Sequence, residues 1–132
     1  MERIKQLTLV DDDDVFVYLT TNTIKKTNRV DLIKVFGNGL DAMNFLKENR
    51  GDVDALPDIL FLDLSMPIMD GWQFLNEFVK INPFIGKKIH IYICSSSISP
   101  EDMAMAKTIK EVSDFIIKPI HKEKLLDIIN HV

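Results

Sequence analysis

One cysteine, one tryptophan, five glycines and five prolines occur in these 132 residues, and each scarcity narrows the reading. Cys94 has no second cysteine with which to form an intrachain disulfide, which fits a reducing compartment. With so few breakers and no Ser-rich tract, nothing marks a linker, a repeat or a low-complexity segment. No apolar run approaches the ~20 residues needed to span a bilayer. The opening Met1-Glu2-Arg3-Ile4-Lys5-Gln6 lacks the apolar centre of a secretory signal. A cytoplasmic protein without membrane association is expected, one domain over 1–132 with no output domain.

A cationic stripe is also missing. Net charge is −4, from 16 basic and 20 acidic residues, and the only basic pairs of note are Lys25-Lys26 and Lys87-Lys88. That speaks against a nucleic-acid footprint. Local charge is more telling, because four acids stand together at Asp11, Asp12, Asp13 and Asp14. Hydrophobic residues make up 46% and charged residues 27%, a soluble balance able to fill one core.

What is present is alternation. Leu7 to Val10, Val30 to Phe36, Ile59 to Leu62, Ile89 to Cys94 and Phe115 to Ile117 read as strands, continuous as if covered on both faces. Helical patterns lie between them. Asn38 can cap a helix over Leu40 to Asn49 with Ala42, Phe45 and Leu46 on one face. Asp70 and Gln73 make a capping box before Phe74, Leu75 and Phe78. Ser99 and Pro100 open a further helix with Glu101 and Asp102 at its positive end. A last helix over Lys122 to His131 would bury Leu125, Leu126, Ile128 and Ile129. The segment Val15 to Thr21 has strand composition. A helix is nonetheless expected there, capped by Asp13 or Asp14, with Phe16, Leu19, Thr23 and Ile24 on one face. Strands alternating with helices make an α/β protein with a parallel sheet covered on both sides.

Ligands of such sheets sit beyond the carboxyl ends of the strands. The polar residues there are Asp11 and Asp12, then Asp63, then Ser95, then Lys118 before Pro119. Clustered carboxylates repel one another, and a hard divalent cation relieves them; Mg2+ keeps several waters, so few protein oxygens suffice. A carboxylate at Asp63 can attack phosphorus in line. Lys118 can hold a phosphoryl oxygen as a point charge, and the Ser95 hydroxyl can donate to another. Ser96 and Ser97 follow Ser95, so a register shift by one residue stays open.

The ordered set Val10-Asp11-Asp12, Asp63 with Met66-Pro67-Ile68-Met69-Asp70-Gly71, Cys94-Ser95-Ser96 and Ile117-Lys118-Pro119 resembles the receiver domain of two-component response regulators. The resemblance covers essentially the whole chain. It implies a flavodoxin-like doubly wound sheet of five parallel strands in order 2-1-3-4-5, with five helices. It implies a phosphoacceptor signalling domain of the stand-alone type, not an enzyme. Asp63 would take a phosphoryl group from a sensor histidine kinase or a histidine phosphotransfer protein. Mg2+ would be ligated by Asp12 directly, by Asp11 mostly through water, by Asp63, and by the Ser65 backbone carbonyl. Ser95 and Phe115 would be the switch pair, and Lys118–Pro119 would be a cis peptide. Phe115 lacks the hydroxyl of the Tyr often found there. Ser65 and Ser97 stand where the family tunes attack by water, and neither supplies an amide or carboxylate, so slow self-dephosphorylation is expected.

Output in the family leaves by the fourth helix, fifth strand and fifth helix, toward a downstream protein that the sequence does not name. Monomer and weak dimer are both compatible, as are allosteric effector and phosphorelay shuttle. Met103 and Met105 are equally core or partner surface. Cys94 reads as a buried strand thiol, and His90, His121 and His131 share no metal-ligand spacing. A haloacid dehalogenase-like phosphatase would need a second acid where Ser65 stands. A flavin-binding module would want a phosphate-cradling loop where four acids stand.

Overall fold

The computed structural model describes residues 3–132; Met1 and Glu2 lie outside them. Five strands and five α-helices alternate: β1 (Ile4–Val10), α1 (Asp14–Thr27), β2 (Val30–Phe36), α2 (Gly39–Glu48), β3 (Ile59–Asp63), α3 (Gly71–Ile81), β4 (His90–Ser95), α4 (Pro100–Lys107), β5 (Val112–Ile117) and α5 (Lys122–Asn130). A short 3₁₀ turn, Asn82–Phe84, follows α3. The strands are all parallel in order β2-β1-β3-β4-β5.

Both faces of the central strands are apolar, which is why their sequences run on without alternating. Leu60 and Leu62 point into one core with Ala42, Met43, Leu46, Phe74, Leu75 and Phe78. Ile59 and Phe61 point into the other, with Phe16, Ile24, Leu125, Ile128 and Ile129. Helices α2 and α3 thus cover one face, α1 and α5 the other. The edge strands differ from expectation: β2 and β5 have flanking neighbours on one side only and keep exposed positions at Leu32, Val35, Ser113 and Asp114.

Local chemistry sets the helix starts. Asp13, not Asp14, caps α1, its carboxylate accepting from the Val15 and Phe16 N–H groups at 3.1 Å. Asn38 caps α2 through the Asp41 N–H. Asp70 and Gln73 form the reciprocal box on α3. Ser99 caps α4, with Pro100 at the first helical position.

Three expectations need correction. The buried stripe of α1 is Phe16, Thr20 and Ile24; Leu19 is 55% exposed and Thr23 half-buried. Leu126 is half-buried rather than fully inside, whereas Phe45 packs on the same core as Ala42 and Leu46, as expected. Strands β1 and β5 begin three residues earlier than the apolar runs suggest, at Ile4 and Val112. Hydrogen bonding across the ladder carries strand geometry into these mixed segments: Ile4 pairs with Val30, and Ile91 with Val112.

Candidate functional site

Strand order reverses between β1 and β3, and the parallel register aligns Val10 with Leu62. One residue further, Asp11 and Asp63 emerge side by side at the carboxyl rim. Asp63 closes β3 opposite Cys94, and Ser95 closes β4 opposite Ile117. Lys118 follows directly, its N–H donating to the Ser95 carbonyl at 2.8 Å. The Lys118–Pro119 peptide is cis, as expected.

The charged groups meet. Lys118 Nζ lies 2.8 Å from Asp11 Oδ2 and 3.5 Å from Asp63 Oδ1. Asp11 and Asp63 are buried, while Asp12 is exposed. Burial, and then the charge of Asp11, push the Asp63 carboxyl up to about 6; Lys118 and the N–H groups of Ser65 and Leu64 act the other way. Burial alone would lower the Lys118 ammonium, but its ion pair with Asp11 and the surrounding acids win, so it is raised. It stays charged at neutral pH.

One ammonium faces a group of three carboxylates. Asp11, Asp12 and Asp63 each offer an oxygen, and these oxygens lie within 4.8 Å of one another. Asp11 Oδ2 is buried and accepts no aligned hydrogen bond, although the Lys118 ammonium touches it. An under-satisfied anionic oxygen in an all-oxygen set suits a hard divalent cation. The donor chemistry therefore fits Mg2+.

The loop after Asp63 is held close to the sheet. Gly71 N–H donates to the Leu64 carbonyl at 3.0 Å, and a Cβ on Gly71 would lie 2.8 Å from Leu64 Cα and closer still to the Asp63 carbonyl. Gly39 N–H donates to the Met69 carbonyl at 2.9 Å, tying the same loop to the start of α2. Within it Ile68 has φ 69°, bridged by a Met69 N–H to Pro67 carbonyl bond of 2.7 Å.

Ser95 is buried, whereas Ser96 and Ser97 are exposed, so the strand-end position belongs to Ser95. Its Oγ accepts from the Ser97 N–H at 3.1 Å and donates to the Ser97 carbonyl at 3.3 Å. Phe115 is half-buried, opposite Ile93, and borders a space of about 230 Å³ with Met103, Ala106 and Val112. Met103 is half-buried and Met105 50% exposed, one on each side of the alternative left open. Cys94 is fully buried, and burial pushes its thiol far up, so it is inert.

One contact had no signal in the sequence. The Phe16 ring, expected only as core, lies with its centroid 4.3 Å from Lys118 Nζ. Knowing which acid caps α1 would have aimed the first turn at the rim, but not at Lys118.

Comparison with known proteins agrees with this geometry. Residues 7–130 match the family model of the response regulator receiver domain. The chemotaxis protein CheY of Halobacterium salinarum is 30% identical over 129 residues, 97% of this chain and 96% of that one. CheY of Bacillus subtilis is 28% identical over 122 residues, 92% of each chain. The crystal structure of a two component response regulator from Cytophaga hutchinsonii superposes with a TM-score of 0.88 at 30% identity, covering 98% of this chain and 97% of that one. Among the described residues no helix is long and apolar enough to cross a membrane. With the strand order, the rim acids and a family match over nearly its whole length, the chain belongs to the response regulator receiver domain family, a two-component signalling module.

Proposed function

We propose that Asp63 is the phosphoacceptor of this receiver. The observation that carries the reading is the buried Asp63 carboxylate at the switch point, with Lys118 Nζ 3.5 Å away and Asp11 and Asp12 beside it. Asp11, Asp12, Asp63 and the Ser65 carbonyl would hold Mg2+, which when bound neutralises charge on the phosphoryl oxygens. The Asp63 carboxylate oxygen attacks phosphorus, the P–N bond of a donor phosphohistidine breaks, and the imidazole leaves with the electron pair. Lys118 then holds one phosphoryl oxygen and the Ser95 hydroxyl another.

The new charge at Asp63 pulls Ser95 away from its bonds to Ser97, and Phe115 moves behind it. This alters the surface formed by α4, β5 and α5, where Lys124 and Asp114 pair at 3.2 Å. A sensor histidine kinase or histidine phosphotransfer protein supplies the phosphoryl group, and a downstream protein reads the altered face. Ser65 and Ser97 are exposed and carry no amide or carboxylate to align water, so the acyl phosphate outlasts seconds.

The test is incubation with acetyl phosphate and Mg2+, read by intact mass beside Asp63→Asn. One hydroxylamine-labile phosphoryl group is expected, absent without Mg2+ and in the variant. Failure with acetyl phosphate, with a phosphohistidine donor and with beryllofluoride together would reduce the chain to a binding module.

A further inference from the structure

Lys118 is held on three sides. Its ammonium lies 2.8 Å from Asp11 Oδ2, 3.5 Å from Asp63 Oδ1 and 4.3 Å from the centroid of the Phe16 ring. Asp11, Asp63 and Phe16 are all buried, and the Lys118 side chain is 10% exposed. A cation within about 6 Å of an aromatic face is drawn to the ring quadrupole, most strongly where water is excluded. Resting on the phosphoacceptor reading above, we infer that Phe16 is a positioning residue, whose ring keeps Lys118 aimed at Asp63 before and after phosphoryl transfer.

The first turn of α1 is bonded into the site. Asp11 Oδ1 accepts from the Asp13 N–H at 2.9 Å, and Asp13 Oδ1 accepts from the Val15 and Phe16 N–H groups at 3.1 Å. The acid that pairs with Lys118 and the ring that covers it therefore belong to one hydrogen-bonded turn. When the Asp63 carboxylate becomes an acyl phosphate, the ammonium must exchange an acceptor there for a phosphoryl oxygen. A carboxylate claims a particular N–H of the ammonium. The ring face attracts the charge without claiming any, so Lys118 can change acceptors while staying over Phe16.

Phe16 also packs in the core beneath α1 and α5. A packing role alone would be served by any apolar side chain of similar bulk. A role through Lys118 needs a π face. Phe16→Tyr keeps that face, and the groove of about 310 Å³ that Phe16 borders with Leu19 and Pro119 leaves room beside the ring. Phe16→Leu keeps the burial and removes the quadrupole.

The experiment follows the initial rate of aspartyl phosphate formation from acetyl phosphate at saturating Mg2+ in wild type, Phe16→Leu and Phe16→Tyr. The NMR resonances of the Lys118 ε-methylene protons and the denaturant midpoints are recorded alongside. In wild type the ring current should place the Lys118 ε-protons upfield of those of other lysines. Phe16→Leu should abolish that shift and slow phosphorylation about five-fold, and Phe16→Tyr should keep both near wild type. A wild-type rate in Phe16→Leu, or equal slowing in Phe16→Tyr and Phe16→Leu, overturns the inference. The wild-type shift needs no variant, so an unshifted Lys118 overturns it even if Phe16→Leu does not fold. A wild type that accepts no phosphoryl group from acetyl phosphate or phosphohistidine and does not bind beryllofluoride removes the phosphoacceptor reading as well, a result distinct from failure at Phe16 alone.

Discussion

Lys118 pairs more closely with Asp11 than with the carboxylate it faces at the end of β3: its Nζ lies 2.8 Å from Asp11, against 3.5 Å from Asp63. Lys118 therefore neutralises Asp11 first, and at the proposed Mg2+ site it would compete with the cation for the Asp11 carboxylate.

Removing that ammonium leaves two buried acids without a counter-charge. Lys118→Met should destabilise the metal-free protein by about 3 kcal/mol at neutral pH. Mg2+ should restore a larger share of stability in this variant than in wild type, because its competitor is gone. Denaturant titrations with and without Mg2+ check both effects. Equal gains from Mg2+ in the two proteins would contradict the competition.

The Asp63 carboxyl is raised to about 6 in the fold, from 3.8 as its ordinary value. Between these two values the folded state holds a proton that the unfolded chain has lost. Stability from this group is therefore present below about pH 4 and disappears as pH rises through 6, a difference of roughly 3 kcal/mol. Asp63→Asn should stabilise the metal-free protein at pH 7 and remove that part of the pH dependence. Mg2+ affinity in wild type should weaken as the pH falls below about 6, since proton and metal seek the same oxygens. Denaturation and Mg2+ titrations from about pH 4.5 to 7.5 check this.

The loop after Asp63 depends on a glycine for space, not for φ. Gly71→Ala would drive a methyl group against the Asp63 carbonyl and within 2.8 Å of Leu64 Cα. The clash should outweigh the helix propensity gained and cost about 2 kcal/mol. A methyl group at Gly37 would meet nothing within 4 Å, so Gly37→Ala should stay within about 0.5 kcal/mol of wild type. Urea midpoints of the two variants give the comparison.

What the sequence showed depended on how local its cause was. The box of Asp70 and Gln73, the Ser99–Pro100 start and the acids at strand ends are short-range chemistry, and each stands where its residues imply. Leu19 misled because the inward stripe of α1 passes through Thr20 instead, leaving Val15, Tyr18 and Leu19 outside. Gln6 hid the start of β1: a buried polar side chain breaks the apolar run, yet it is satisfied by the Ala55 carbonyl at 2.7 Å and by Thr8. The Phe16–Lys118 contact joins opposite ends of the chain through the packing of α1 against α5, which brings the first turn of α1 to the loop after β5, and no local pattern encodes it.

The most direct measurement identifies the residue that carries the phosphoryl group. The protein would be phosphorylated from a phosphohistidine donor with Mg2+, reduced with borohydride to trap the acyl phosphate as homoserine, digested and sequenced by mass spectrometry. Conversion at Asp63 alone is the predicted result. A phosphoryl group on Asp11, Asp12 or Ser95, with Asp63 unmodified, would contradict the account.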